Sequence, residues 1–299
     1  MSDATRALVR KLYRAIPGKS HLFHLLRRGP KIPSGIYQHL HFEGPFEVSI
    51  DRDHHFALQS YGTFVENELF WAGFGGSWEA TSLKVWQALC RSRTGLAIDI
   101  GANTGVYALA AAALGREAAA FEPVERMALR LRRNVDLNDF SIRIEQKAVS
   151  DRGGRMPIFD TMDEHNYSAS LEGQGPSASS YEVEVCTLDD LLAEWGNPAL
   201  AAIKIDVERH EPAVLRGMGH ALSNQSPPML IEILDREIGT EVCELIEGLE
   251  YQIYHIDEKR GLIPATYPGP IGDHNWNHLV CTRQQFDRAG LAVLLARSG

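Results

Sequence analysis

From Phe42 to Val65 the chain alternates apolar and polar residues over short stretches, FEVSI and HHFALQSY, which predicts a small β-rich element. The glycine-rich turn GFGGSW (Gly73 to Trp78) then leads into a helical pattern over roughly Glu79 to Cys90. Ahead of both, residues 1–35 read as one or two short basic helices broken by Pro17, Pro30 and Pro33. Residues 1–78 therefore read as an appendage to a main domain over 79–299.

After Gly95 the pattern changes. GLAIDI is a short buried-strand run ending in the turn GANTG, and Ala-rich VYALAAAALG predicts a helix packed closely on a sheet. AAAF is a second strand. A helix from Val124 places Val124, Met127, Leu131 and Val135 on one face, and IRIEQKAV is a third strand. RMPIFD and YEVEVC alternate with period two and read as an inserted antiparallel pair. Thr187 with Asp190 forms a capping box opening TLDDLLAEW. The alternation continues through AAIKIDV, PAVLRGM, MLIEIL, a helix near Val242 to Leu249, and the strands YQIYHI and HLVC. Thr282 with Gln285 caps a terminal helix. Strands alternating with helices imply an α/β fold with a doubly wound, mostly parallel sheet.

Composition leaves that picture intact. In 299 residues, 44% hydrophobic and 23% charged side chains describe a globular protein. No apolar run approaches a membrane span, and basic residues interrupt the N-terminus where a secretory signal would be apolar. Cys90, Cys186, Cys243 and Cys281 are dispersed without a CxxC pair, which points to a reducing, cytoplasmic setting.

Charge adds an asymmetry. The net charge is −9, yet residues 1–31 hold eight Lys/Arg against Asp3, a net +7, which leaves −16 for the remainder. An acidic body is a poor platform for a phosphate backbone, so nucleic acid is not an expected partner. The basic head suits weak contact with an anionic membrane surface or an acidic partner; a solvated helix is the plainer reading.

In a doubly wound sheet, ligands bind at the carboxyl ends of the strands. There Gly101 and Gly105 allow a sharp turn after Asp99, and Glu122, 21 positions after Gly101, stands at the end of the next strand. A carboxylate there accepts hydrogen bonds from ribose hydroxyls. A nicotinamide dinucleotide and S-adenosylmethionine both fit this outline. The fingerprint GxGxxG, however, needs glycines where Asn103 and Val106 stand, and Asp99 suits an ammonium better than a pyrophosphate. The methyl donor is favoured.

The runs AIDIGANTGVYALAAAALG, AFEPVERMALRLRRNVDLN, KAVSDRGG, TLDDLL and IKIDVERHEPAVLRGM, covering roughly Glu79 to Leu234, resemble the FkbM family of S-adenosylmethionine-dependent methyltransferases. The resemblance implies a Rossmann-like class I fold, with a seven-stranded sheet whose last hairpin runs antiparallel. It implies that Asp99, Gly101, Asn103, Thr104 and Gly105 surround the methionine end of the cofactor. Glu122 and Pro123 would shape the ribose site, Ala148 would lie against the adenine, and Glu79 would also reach the cofactor. O-methylation of sugars, glycolipids or secondary metabolites is the activity it suggests.

Methyl transfer needs a positioned nucleophile and, for a hydroxyl, a proton acceptor. On a strand, Lys204, Asp206 and Glu208 share one face. Asp206 is the leading catalytic residue, His210 a natural proton acceptor, and Glu208 its orienting or sugar-contacting partner. Alternatively, His210 and Glu211 simply start the next helix. Arg209, where the family often has glycine, would reshape the acceptor pocket or bind an anionic group. In DEHNYSASLEGQGPSASS, His165, Asn166 and Tyr167 offer hydrogen bonds and an apolar face to a sugar ring; a solvated loop is the alternative. His54 and His55 point to opposite faces of a strand, while His274 and His278 flank Trp276 near the acceptor side. No metal is expected, because no tight ligand spacing supports one.

Base methylation is disfavoured: no Asn/Asp-Pro-Pro-aromatic turn follows the fourth strand, and no cysteine follows a proline. The expected function is thus an O-methyltransferase. An NAD(P)-dependent oxidoreductase and a non-catalytic nucleotide-binding module stand as alternatives.

Overall fold

The structure, a computed structural model, describes residues 18–29, 31–76, 78–161, 169–172, 179–270 and 275–296. The first alternating stretches form a hairpin. β1 (Glu43–Ser49) pairs antiparallel with β2 (His55–Tyr61), with Phe46 opposite Leu58 and Val48 opposite Phe56, all four buried. The expectation of β structure through Val65 is corrected: Thr63 and Glu66 form a capping box that starts the helix Phe64–Ala72.

This first third is packed as part of the body. Phe23, Phe42, Phe56 and Phe70 share one apolar cluster with Val106, Leu109 and Leu131 of the helices beyond. Fully burying each such side chain contributes roughly 1.5–3 kcal/mol. Backbone links reinforce the packing. Asn134 Oδ1 accepts the Gln59 N–H at 2.9 Å, while its Nδ2 donates to the Thr104 carbonyl at 2.8 Å.

The main domain supplies β3 (Leu96–Ile100), β4 (Glu117–Phe121), β5 (Ile142–Glu145), β6 (Ala148–Val149), β7 (Gly154–Asp160), β8 (Ala169–Ser170) and β9 (Ser179–Cys186). β10 (Leu200–Ile205), β11 (Met229–Glu232), β12 (Tyr251–Asp257), β13 (Gly261–Ala265) and β14 (Asn277–Thr282) complete it. The central sheet runs β13-β12-β14-β11-β10-β3-β4-β5. From β5 to β11 the neighbours are parallel, whereas β14 is antiparallel to both β11 and β12.

The expected seven strands therefore become eight among the described residues. The addition is β13, at the sheet edge, where Pro264 lacks an N–H but has no outer neighbour to miss it. A proline inside the run hid this strand in the sequence.

The buried parallel strands have no polar face because helices cover both sides. Helices Ala80–Ser92 and Val106–Ala113 pack on Ala97, Ala202 and Leu230; helices Leu188–Glu194, Glu211–Arg216 and Arg236–Ile246 pack on Ile98, Ile203 and Ile231. The last of these begins six positions before the expected Val242, because Asp235 caps it by accepting the N–H groups of Glu237 and Ile238, each at 3.0 Å. The inserted antiparallel pair is β7 with β9. Together with β6 and β8 it makes a second sheet, β6-β9-β7-β8, packed over Val124 and Met127. Among the described residues no helix is long and apolar enough to cross a membrane.

Candidate active site

The chain runs from β3 outward to β5 and returns on the other side at β10, so the ends of β3 and β10 flank a crevice. The turn after β3 is locked to its neighbours. Gly101 and Ala102 donate to the Phe121 carbonyl at 3.0 and 2.9 Å, and Asp206 N donates to the Ile100 carbonyl at 3.0 Å. Gly101 has φ +80°, and a Cβ there would lie 1.8 Å from the Asp206 carbonyl oxygen. Glycine is thus required by both conformation and space. Gly105, at φ +92°, would place a Cβ 2.3 Å from Leu131 Cδ1.

Two acids stand over this turn. Asp99 Oδ2 accepts the Ala108 N–H at 3.0 Å, and burial, aided by Asp206 and Glu79, pushes its carboxyl up to about 7. Glu122 accepts the N–H groups of Asn103 and Val124, one on each oxygen at 2.9 Å, and burial raises it to about 8. Each oxygen keeps a second lone pair for a ligand hydroxyl.

Beside them lies a buried polar chain. Lys204 Nζ donates to Asp206 Oδ2 and to Asn277 Oδ1, both at 3.1 Å, and stands 5.4 Å from the centre of the Tyr107 ring. Asn277 Nδ2 in turn donates to Glu79 Oε1 at 2.9 Å, and the Tyr107 hydroxyl donates to Glu79 Oε2. Burial works against the Lys204 charge, but Asp206, Glu79 and Glu232 hold its pKa above the usual lysine value. Burial raises both Glu79 and Glu232; for Glu232 the charge of Asp206 is the next cause.

With the exception of Asn277, which stands behind Lys204, these groups line a cavity of about 320 Å³. Phe64, Trp78 and Trp276 contribute aromatic walls, with Ala148 and Ile158 on the side of the second sheet. Six carboxylates (Glu79, Asp99, Glu122, Asp206, Glu208, Glu232) face only two lysines, Lys147 and Lys204, among the described lining residues. The cavity is therefore suited to a cationic or neutral occupant.

Past β10 the backbone leaves the strand. Glu208 and Arg209 have φ of 55° and 83°, a turn held by Glu211 Oε1, which accepts the Val207 and Arg209 N–H groups at 3.3 and 3.1 Å. Glu208 therefore reaches the cavity through a left-handed turn, not by the strand alternation expected for it. His210 begins the next helix and is buried; both its ring nitrogens are engaged, Nδ1 with Glu172 Oε1 at 2.5 Å and Nε2 with Ser150 Oγ at 3.0 Å. Serine, histidine and carboxylate thus stand in relay order. Ser150 is wholly buried and does not line the cavity, so its hydroxyl has no substrate to attack.

Most sequence-derived candidates converge. Glu79, Asp99, Gly101, Asn103, Thr104, Glu122, Pro123, Ala148, Asp206, Glu208 and His210 all line the cavity, and Gly105 supports the turn from behind. Arg209 does not join them; it pairs with Asp235 at 2.6 Å. His165, Asn166, Tyr167 and His274 lie outside the described residues. His278 is buried against His255, 2.8 Å away, apart from the cavity lining.

Tyr107, Glu172, Glu232 and Asn277 were not singled out by sequence. Glu232 carried a usable signal, an acid ending a buried strand as Glu122 does; Tyr107 lies just past the glycine turn but on a helix that reads as core, and Asn277, brought in by a distant strand, carried none.

Comparison with known proteins places this geometry. No curated protein sequence matches the chain. Among solved structures, the methyltransferase FkbM from Methylobacillus flagellatus KT is 20% identical, with 63% of this chain and 43% of that one covered and a TM-score of 0.43. A SAM-dependent methyltransferase from Agrobacterium tumefaciens is 12% identical over 81% of this chain and 71% of that one, TM-score 0.46. A tRNA (uracil-54, C5)-methyltransferase from Pyrococcus abyssi, solved with S-adenosyl-L-homocysteine, is 12% identical over 80% and 44%, TM-score 0.41. The chain thus spans less than half the length of the first and third. The architecture is the Rossmann-like class I methyltransferase fold, with β13 added at the sheet edge. The model of the methyltransferase FkbM domain matches residues 99–256, more than half of the chain, from the first acid at the turn to β12. On that match the chain belongs to the FkbM methyltransferase family.

Proposed function

We propose that the cavity binds S-adenosylmethionine and that the protein transfers its methyl group to a hydroxyl of a sugar, glycolipid or secondary metabolite. The carrying observation is that Glu122 and Asp206, at the ends of β4 and β10, open onto one acid-rich cavity beside the Gly101–Gly105 turn. The donor carries an ammonium and a sulfonium, and acids with accepting capacity to spare match such a ligand. Asp99 faces the ammonium, Glu122 takes the ribose hydroxyls, and Ala148 leaves space for a flat base. Family membership supports this donor over a nicotinamide dinucleotide.

The bound donor supplies an already activated methyl group; the residues do the rest. Lys204 occupies Oδ2 of Asp206 and fixes its rotamer, leaving Oδ1 to accept the proton of an acceptor hydroxyl. Burial and the charge of Asp206 raise Glu232, which makes it a weaker competitor than Asp206 for Lys204 and leaves it facing the acceptor side of the cavity. Trp78 and Trp276 give aromatic faces for a sugar ring at the cavity mouth.

The sequence-based roles of two residues change in this reading. His210, with both ring nitrogens engaged, positions the loop at Glu172 and is not the proton acceptor. Arg209, paired with Asp235, is not a free anion site. A reducing, cytoplasmic setting is part of the same proposal and rests on the dispersed cysteines of the sequence.

Calorimetry with S-adenosylhomocysteine and with NAD(P) tests the cofactor, and mass spectrometry of a glycan panel incubated with the methyl donor tests the acceptor. Binding of NAD(P) without S-adenosylhomocysteine overturns the reading.

A further inference from the structure

The helix Lys19–Arg27 rests on the body by one side only. Phe23 is buried, its ring 5.3 Å from that of Trp71. Arg27 lies 5.5 and 5.1 Å from the ring centres of Phe46 and Phe70 and donates to the Glu47 carbonyl at 2.9 Å. On the opposite side Leu22, Leu25 and Leu26, at i, i+3 and i+4, are 52%, 67% and 38% exposed. Ile36, on the short helix Ser34–Tyr37, is 55% exposed.

The charge of this region is one-sided. No acid occurs between Asp3 and Glu43, while that stretch holds eight Lys/Arg, among them the exposed Arg28 and Lys31. A row of leucines in water is unfavourable alone, and cations beside it specify what covers it. A phosphate backbone would satisfy the cations but offers no apolar layer for the leucines. An anionic bilayer offers both, with phosphates at the rim and acyl chains a few ångströms below.

We propose that residues 19–36 dock the protein on an anionic phospholipid surface, with Leu22, Leu25 and Leu26 entering the acyl boundary and Arg28 and Lys31 at the headgroups. The docking helix packs on the helix Phe64–Ala72, whose first residue is a wall of the cavity, so the lipid contact and the cavity mouth share one structural element. Vesicle binding is read without turnover, so failure here is distinguishable from failure of the methyl-transfer reading.

The test is co-sedimentation of the full chain with vesicles of phosphatidylcholine alone and of phosphatidylcholine mixed with phosphatidylglycerol. The wild type binds the mixed vesicles only, and high salt releases it. The triple variant Leu22→Ser, Leu25→Ser, Leu26→Ser, at exposed positions that leave the fold intact, binds about tenfold less or weaker still. Arg28→Glu with Lys31→Glu loses the preference for the anionic lipid. Wild-type binding to neither vesicle overturns the proposal, as does equal binding by the triple variant. If the wild type ignores vesicles and the triple substitution instead lowers its mass in light scattering, the leucine row belongs to a second copy of the chain and the proposal is wrong.

Discussion

Lys204 Nζ and Asp206 Oδ2 stand 3.1 Å apart in a pair of unequal exposure, the lysine side chain 2% and the carboxylate 31% accessible. The lysine thus serves as a fixed internal cation, and the carboxylate is the end of the pair that can meet an incoming molecule.

Removing the cation and neutralising the acid should have different consequences. Lys204→Met leaves Asp206, Glu79 and Glu232 without their shared positive partner. It should cost about 2–3 kcal/mol, below the roughly 3–5 kcal/mol of a fully buried pair because Asp206 meets solvent. Asp206→Asn keeps an acceptor for Lys204, so the melting temperature should change little while methyl transfer falls by about 10²–10⁴. Urea denaturation and initial rates on the same preparations separate the two.

The glycine turn offers a sharper contrast. Gly101→Ala drives a methyl into the backbone oxygen of Asp206, where nothing can give way; Gly105→Ala meets the tip of the Leu131 side chain. The first should abolish S-adenosylhomocysteine binding or folding. The second should leave a folded protein weakened by about 1–2 kcal/mol from its left-handed backbone, plus a smaller packing loss. Thermal melts and calorimetric titrations of the two variants give the comparison.

Acidity links stability to ligand binding. Asp99 and Glu258 are raised to about 7, and Glu122 and Glu211 to about 8, against about 4 in an unfolded chain. Between those limits the folded state binds more protons than the unfolded one, so stability of the ligand-free protein should fall as pH rises from about 4 to 8. A cationic ligand favours the ionised acids, so its affinity should rise over about pH 6–8, with protons released on binding. Melting curves and titrations in buffers of different ionisation enthalpy measure both trends; a pH-independent affinity would contradict this assignment of Asp99 and Glu122.

The His210–Glu172 contact distinguishes positioning from proton transfer. Glu172→Gln should raise the acceptor KM severalfold, keep kcat within about threefold and leave the shape of the kcat pH profile unchanged. A shift or loss of the acidic limb of that profile, or collapse of kcat, would make His210 the proton acceptor after all.

The parallel core was legible because its strands are buried on both faces and so read as apolar runs, with Asp99 and Glu122 conspicuous at or near their ends. β13 was not, since Pro264 breaks the run and only an edge position tolerates it. The helix start at Thr63 was written as Thr-x-x-Glu but lay within a stretch of β alternation. In the site, residues of one local motif were found, whereas Glu172 and Asn277 act 38 and 73 positions from their partners His210 and Lys204. Such pairings depend on how the sheets close and leave no periodic trace. For His210 the sequence offers a proton acceptor or the start of a helix; that both ring nitrogens are engaged is a tertiary fact.

A crystal soaked with S-adenosylhomocysteine tests the central claim most directly. Density should fill the crevice, with ribose hydroxyls on Glu122, the amino group at Asp99 and the sulfur facing Asp206. Density lodged elsewhere, or an empty crevice at saturating ligand, would contradict it.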